Sequence, residues 1–171
     1  MPTSPTACSA CARRCCSSSA ADRRGAVATS CVFCELLAGR APASFVHRDE
    51  HLAAFVDLRQ AVPGHVLIVP NRHVETLYEL DEATAGRMMA LAVRVARALA
   101  AEFGPPGLNL WQSNGEAGGQ EVPHVHLHVQ PRRVGDGLMR VYPKGIPAPG
   151  PRPVLDELAA RLAARLPATS L

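Results

Sequence analysis

The sequence predicts a mixed domain of short strands and helices in which a single strand carries the chemistry. Three observations lead there. His124, His126 and His128 alternate with Val125, Leu127 and Val129, the period-two pattern of a strand with two unlike faces. Met88, Leu91, Ala92, Val95 and Leu99 recur at steps of three and four, the pattern of an amphipathic helix. Several short apolar runs lie between turn residues, as strands do.

Residues 1–29 are rich in Ala, Ser, Cys and Arg without apolar periodicity, and are expected to be disordered. Cys8, Cys11, Cys15 and Cys16 lie there without histidine or turn-forming residues around them, so the spacing alone is a weak metal signal. The ordered domain, 30–135, opens with Ser30 as N-cap of a short helix through Ala38, closed by Gly39. Ala43 to Arg48 and Leu52 to Asp57 read as strands joined by a turn at Asp49-Glu50. Pro63-Gly64 leads into a third strand, His65 to Val69, which is expected to end at Pro70. A helical region runs from Thr76 to Phe103, strongest over Glu82 to Glu102, and Gly104-Pro105-Pro106-Gly107 stops it. Leu108 to Gln112 is a fourth strand, and the loop Asn114 to Gln120 feeds the histidine strand, His124 to Gln130. A C-terminal extension, 136–171, holds a proline-rich connector, Tyr142 to Pro153, and a helix from Val154 to Leu166. Its stripe of Leu155, Leu158, Leu162 and Leu166 is expected to dock on the core.

The 171 residues suit one domain with a sizeable core. The net charge of +3 arises in residues 1–30, which hold four Arg and one Asp; the remainder carries fourteen basic and fourteen acidic side chains. A neutral domain is not an electrostatic binder of nucleic acid. No apolar run is long enough for a membrane span, and Ser17 to Asp22 is no hydrophobic core for a twin-arginine or Sec signal. The expected setting is cytoplasmic and without membrane contact. All six cysteines precede residue 35, which speaks for metal ligation or reduced thiols rather than a disulfide framework.

On a regular strand the three histidines share one face at intervals of roughly 6.6 Å. A row of imidazoles is costly unless each finds a partner, so it marks a site rather than packing. Near pH 7 an imidazole is mostly neutral yet readily protonated, which suits it to attack a phosphorus centre. One backbone carbonyl can orient the central ring while its other nitrogen attacks.

His124-Val-His126-Leu-His128-Val-Gln130, together with Pro63-Gly64-His65-Val-Leu-Ile-Val-Pro70-Asn-Arg-His73 and Cys31-Val-Phe-Cys34, resembles the histidine triad (HIT) hydrolases and transferases. The resemblance covers residues 31–135 in order and spacing. It implies an α+β fold with a five-stranded antiparallel sheet, a long helix, a homodimer, and chemistry at a nucleotide α-phosphate. It assigns His126 as the nucleophile that forms a covalent nucleotidyl-histidine, with His128 as donor to the phosphate or leaving group and His65 approaching from the neighbouring strand. Asp57 would accept hydrogen bonds from the ribose, while Ser113, Asn114, Gly119 and Gln120 would surround the phosphate. Backbone amides of Gly118 to Gln120 would face developing negative charge. Phe33, Leu37 and Leu58 are candidates for an apolar base slot.

The same resemblance groups Cys31, Cys34, His73 and His124 into a structural zinc site, since two thiolates and two imidazoles close a tetrahedron. No catalytic cofactor is expected. In two places the chain departs from the family pattern. Glu121 stands where a Ser or Thr commonly follows the loop Gln, and Ser113 stands where an amide is frequent. The leading function is hydrolysis or transfer at the α-phosphate of a nucleoside phosphoramidate, dinucleoside polyphosphate or related nucleotide. A non-catalytic nucleotide-binding module is one alternative. Another is a metallohydrolase with a catalytic zinc on His124, His126 and His128, a row spanning roughly 13 Å on a straight strand.

Overall fold

A computed structural model describes residues 31–139 and 141–166. The expected disorder of 1–29 and the Cys8 to Cys16 group lie outside the described residues. A helix α1 (Val32–Leu37) is followed by strands β1 (Phe45–Arg48), β2 (Leu52–Val56) and β3 (Val66–Pro70). A long helix α2 (Glu82–Phe103) precedes β4 (Gly107–Trp111) and β5 (Leu127–Arg132), and α3 (Arg152–Ala163) comes last. The sheet is five-stranded and antiparallel throughout, in the order β1-β2-β3-β5-β4. This is the expected α+β architecture.

The central strand β3 is buried along its whole length, because helices cover the sheet on both faces at that point. On one face Leu52, Ala54, Val66, Ile68 and Val129 pack with Met88, Leu91, Val95 and Leu99 of α2. On the other, Ala53, Phe55, Leu67 and Val69 pack with Phe33 of α1. The apolar periodicity of α2 therefore identified its core stripe correctly. Asp81 caps this helix by accepting a bond from the Thr84 amide at 2.8 Å, and Gly104 ends it in the left-handed region at φ 50°.

Four expectations are corrected. The first cap of α1 is Cys31, extended at ψ 120°, rather than Ser30. Pro70 belongs to β3, paired with Leu52; pairing with β5 stops at Ile68, so no ladder bond on that side needs a Pro70 amide. The histidine strand begins at Leu127, not His124, because the chain before it is drawn aside by a bond from the Val125 amide to the Val74 carbonyl at 2.7 Å. Finally, α3 does not dock on the core: every residue from 152 to 166 is exposed, its leucine stripe included.

Gly64 sets the approach to the site. Its φ of +98° favours glycine, and a Cβ there would stand 2.9 Å from Leu99 and Phe103 side-chain carbons. The chain thus turns tightly over the end of α2 and delivers His65 to the start of β3.

Candidate active site and metal centre

The site forms where the start of β3, the end of β4 and the entry to β5 meet. Register does the placing. In the sheet Leu67 lies opposite His128 on one side, and Trp111 lies opposite His128 on the other. Side chains directly opposite one another in an antiparallel pair share a face.

His126 is 5% exposed, and its Nδ1 donates to the His124 carbonyl at 2.7 Å. That bond fixes the tautomer: the proton sits on Nδ1, and Nε2 keeps its lone pair. Nε2 has no hydrogen-bond partner among the described residues. Phe33 meets the ring edge-on at 5.2 Å, and His128 meets it at 4.8 Å with planes 61° apart. Burial lowers the His126 pKa from the ordinary histidine value, against the opposing pull of the carbonyl bond and of Asp57 and Glu121. A neutral, oriented imidazole with one free nitrogen is the form a nucleophile needs.

His128 and His65 form a pair. The Nε2 of His65 and the Nδ1 of His128 are 2.9 Å apart, and the opposite nitrogen of His65, Nδ1, lies 3.3 Å from Asp57 Oδ2. His65 Nδ1–H donates to the Arg59 carbonyl at 3.5 Å, with the Asp57 carboxylate beside it. Neutral His65 then accepts at Nε2 from His128 Nδ1–H, leaving a lone pair on His128 Nε2. One further proton on this chain converts that nitrogen to a donor, as protonation of a departing group would require. Burial, reinforced by His126 and His65, pushes the His128 pKa down to about 3.

Gln60 closes the loop that carries Asp57 and His65. Its Oε1 accepts from the Gly64 and His65 amides at 2.8 and 3.1 Å, while its Nε2 donates to the Asp57 and His65 carbonyls at 2.6 and 2.9 Å. Next to it, Arg59 donates to Glu121 at 2.8 Å across the rim of the site. Glu121 is thus turned onto a cation.

The glycine-rich loop behaves differently from its expectation. The amides of Gly118, Gly119 and Gln120 donate to the carbonyls of Gly115, Glu116 and Gly115 respectively, at 2.9–3.1 Å. These donors are consumed inside the loop rather than turned to an anion. Gln120 likewise braces the loop: Oε1 accepts from the Gly115 amide and Nε2 donates to the Glu75 and Val122 carbonyls. Asn114 ties the loop to the segment before α2, its Oδ1 accepting from the Leu77 amide at 2.7 Å, and its amide group also bonds Gln112. Gly119 is left-handed at φ 77°. Of this group, the Ser113 hydroxyl is without a partner among the described residues. Leu58 is 98% exposed and closes no slot, whereas Phe33 is core that also contacts His126.

Sequence reasoning missed Trp111, Arg59 and Gln60. Trp111 is stacked on His128 with centroids 4.2 Å apart and planes 4° apart. Its place in a strand was legible; the register that sets it on His128 was not.

The second cluster lies at the N-terminal end of the same segment. Donor atoms of Cys31, Cys34, His73 and His124 all fall within 4.8 Å of one another. His124 Nε2 donates to the Pro70 carbonyl at 2.9 Å, which directs the Nδ1 lone pair to Cys31 and Cys34 Sγ at 3.5 and 3.7 Å. His73 Nδ1 stands 3.4 Å from Cys34 Sγ. A tetrahedral zinc with bonds of about 2.0 to 2.3 Å needs donors about 3.6 Å apart, so the donor set fits the ion in chemistry and spacing. Burial and the adjacent Cys31 raise the Cys34 thiol pKa, so a metal would have to displace that proton. His124, His126 and His128 share no common ligand cluster, because each ring is turned to a different partner. The three-histidine metallohydrolase therefore has no site among the described residues.

A family model described as HIT domain matches residues 38–135. The chain is 41% identical over 116 residues to Protein hit of Bacillus subtilis (strain 168), covering 67% of this chain and 80% of that protein. It is 32% identical over 108 residues to Adenylylsulfatase HINT3 of Arabidopsis thaliana, covering 63% of this chain and 55% of that protein. The crystal structure of a HIT family member from Bacillus subtilis matches with a TM-score of 0.73 at 33% identity, over 82% of this chain and 99% of that one. A zinc-bound histidine triad family protein from Mycobacterium smegmatis matches with a TM-score of 0.60 at 34% identity, over 79% of this chain and 96% of that one.

Proposed function

The chain belongs to the HIT domain family, and from that premise we propose that it cleaves nucleotides at the α-phosphate through a nucleotidyl-histidine on His126. The observation that carries the reading is the bond from His126 Nδ1 to the His124 carbonyl, which leaves Nε2 unprotonated. Nε2 attacks phosphorus, and the bond to the leaving group breaks as His128 Nε2, having taken up a proton from solvent, passes it to that group, with His65 and the Asp57 carboxylate stabilising the protonated pair. Water then opens the phosphorus–nitrogen bond and releases a nucleoside monophosphate. The substrate is a nucleoside phosphoramidate, a dinucleoside polyphosphate or an adenylyl sulfate, the last suggested by the name of the Arabidopsis relative. Asp57 takes the ribose hydroxyls when substrate enters, and Ser113 Oγ offers the loop's uncommitted hydrogen-bonding group.

Zinc on Cys31, Cys34, His73 and His124 supplies structure, pinning α1 to the segment that presents His126; this reading draws on the donor geometry and on the zinc-bound relative. The family resemblance implies a homodimer, and the exposed Leu108 and Leu110 on edge strand β4, with Met89 and Val93 on α2, support that reading as apolar surface a second copy would cover. The functional test is turnover of adenosine 5′-phosphoramidate by His126→Ala against the intact protein. Complete loss is expected, and retained turnover would overturn the reading. Tight binding of a nucleoside monophosphate with no turnover by the intact protein would instead favour a binding module.

A further inference from the structure

Trp111 is the single tryptophan of the chain, and it lies on the imidazoles. His65 and His128 touch through nitrogens 2.9 Å apart, with planes 19° apart and centroids 5.2 Å apart. That combination places the two rings edge to edge in nearly one plane. The indole lies over this plane, parallel to His128 at 4.2 Å and inclined by 22° to His65 at 5.5 Å. A hydrogen bond between imidazoles weakens steeply when either ring turns about its Cβ–Cγ bond, since both lone pair and N–H lie in the ring plane. The Arg59 carbonyl and the Asp57 carboxylate together hold His65 from its far nitrogen. Among the described residues, no polar group holds His128 other than His65 itself.

We propose that Trp111 is a positioning residue for the reaction: its indole fixes the common plane of His65 and His128, and so fixes the direction in which His128 Nε2 meets the leaving group. The proposal rests on the reading that His128 serves the leaving group. Stacking of parallel rings is favourable in its own right, and it also covers one face of the pair from water. Burial is the largest cause of the depressed His128 pKa, in keeping with that cover. When a proton enters the chain, the same indole face favours the cation so formed. An aliphatic side chain would fill space at position 111 without defining a plane.

The test uses the full-length protein with adenosine 5′-phosphoramidate. Trp111→Leu is expected to lower kcat by about 10- to 100-fold, the scale for misaligned catalytic groups, with KM changed by less than about threefold because ground-state binding is left intact. Trp111→Phe, which restores an aromatic plane, is expected to recover kcat to within about threefold of the intact protein. A kcat unchanged in Trp111→Leu, a loss confined to KM, or Phe as damaging as Leu would each overturn the proposal. Where Trp111→Leu fails to fold, NMR of the unsubstituted protein decides. Ring-current displacement of the His128 imidazole C–H signals to high field is expected, and undisplaced signals overturn the stacked geometry. A failed proposal remains distinct from a failed reading, because only the latter leaves His126→Ala active.

Discussion

Replacing Phe33 by alanine should cost both stability and activity, by separable amounts. The side chain is 7% exposed and makes three edge contacts, to Phe55 at 5.4 Å, His124 at 5.9 Å and His126 at 5.2 Å. Truncating a buried phenylalanine costs about 3 to 5 kcal/mol, which includes the cavity left behind. Against a domain stability of about 5 to 15 kcal/mol, such a loss is large but survivable. Phe33→Leu keeps most of the volume and gives up the aromatic edges, at about 0.5 to 1.5 kcal/mol for each pair lost. Activity should fall in both, since Phe33 is one of the two rings that flank His126. Urea unfolding followed by Trp111 fluorescence measures the first quantity by linear extrapolation. Turnover at a urea-free, low temperature measures the second. A destabilisation below about 1 kcal/mol in Phe33→Ala would refute the account of this cluster as core.

Other outcomes follow from the two clusters. Cobalt(II) added to metal-free protein should give the intense visible bands of a tetrahedral thiolate site, and Cys34→Ser should abolish them; octahedral, pale spectra would count against the four-ligand assignment. Zinc at a hundred times its Kd should stabilise the fold by about 2.7 kcal/mol, while chelation should lower Tm before it lowers turnover at moderate temperature. Stability should also rise with pH on the acid side. His128 is pushed down to about 3, and His124 and His126 are lowered too, all chiefly by burial. The unfolded chain takes up these protons near pH 6.5, as unperturbed histidines do, so below that pH it binds more protons than the folded one. The histidine contribution is therefore complete above about pH 6.5 and is lost as pH falls toward 3. Thermal melts between about pH 8 and pH 4 would show it in metal-free protein, and a flat Tm would contradict it.

Much of this arrangement was legible in residue order. Val66 to Pro70 is a continuous apolar run because helices cover both sides of β3. The spacing of Met88, Leu91, Val95 and Leu99 gave the buried stripe of α2. The nearness of Cys31 and Cys34 to His73 and His124 rested on a resemblance, and the fold brings these four together. What could not be seen depended on contacts distant in sequence. His124 and His126 leave the strand pattern because Val125 is bonded to Val74, fifty-one residues earlier, and no local signal marks that bond. Trp111 reaches His128 only through the β4–β5 register. Glycine-rich composition suggested free amides in the loop, but the turn at Glu116–Gly118 consumes them. The α3 stripe has the right period for docking and stays exposed, since periodicity shows that a helix has an apolar face and not what meets it.

Rapid base-quench of the intact protein during turnover, followed by peptide mass mapping under alkaline conditions, addresses the nucleophile directly. The account predicts one nucleoside monophosphate mass increment, base-stable and acid-labile as a phosphorus–nitrogen bond is, on the peptide containing His126. An increment on another residue, or steady turnover with no labelled peptide at any quench time, would contradict it.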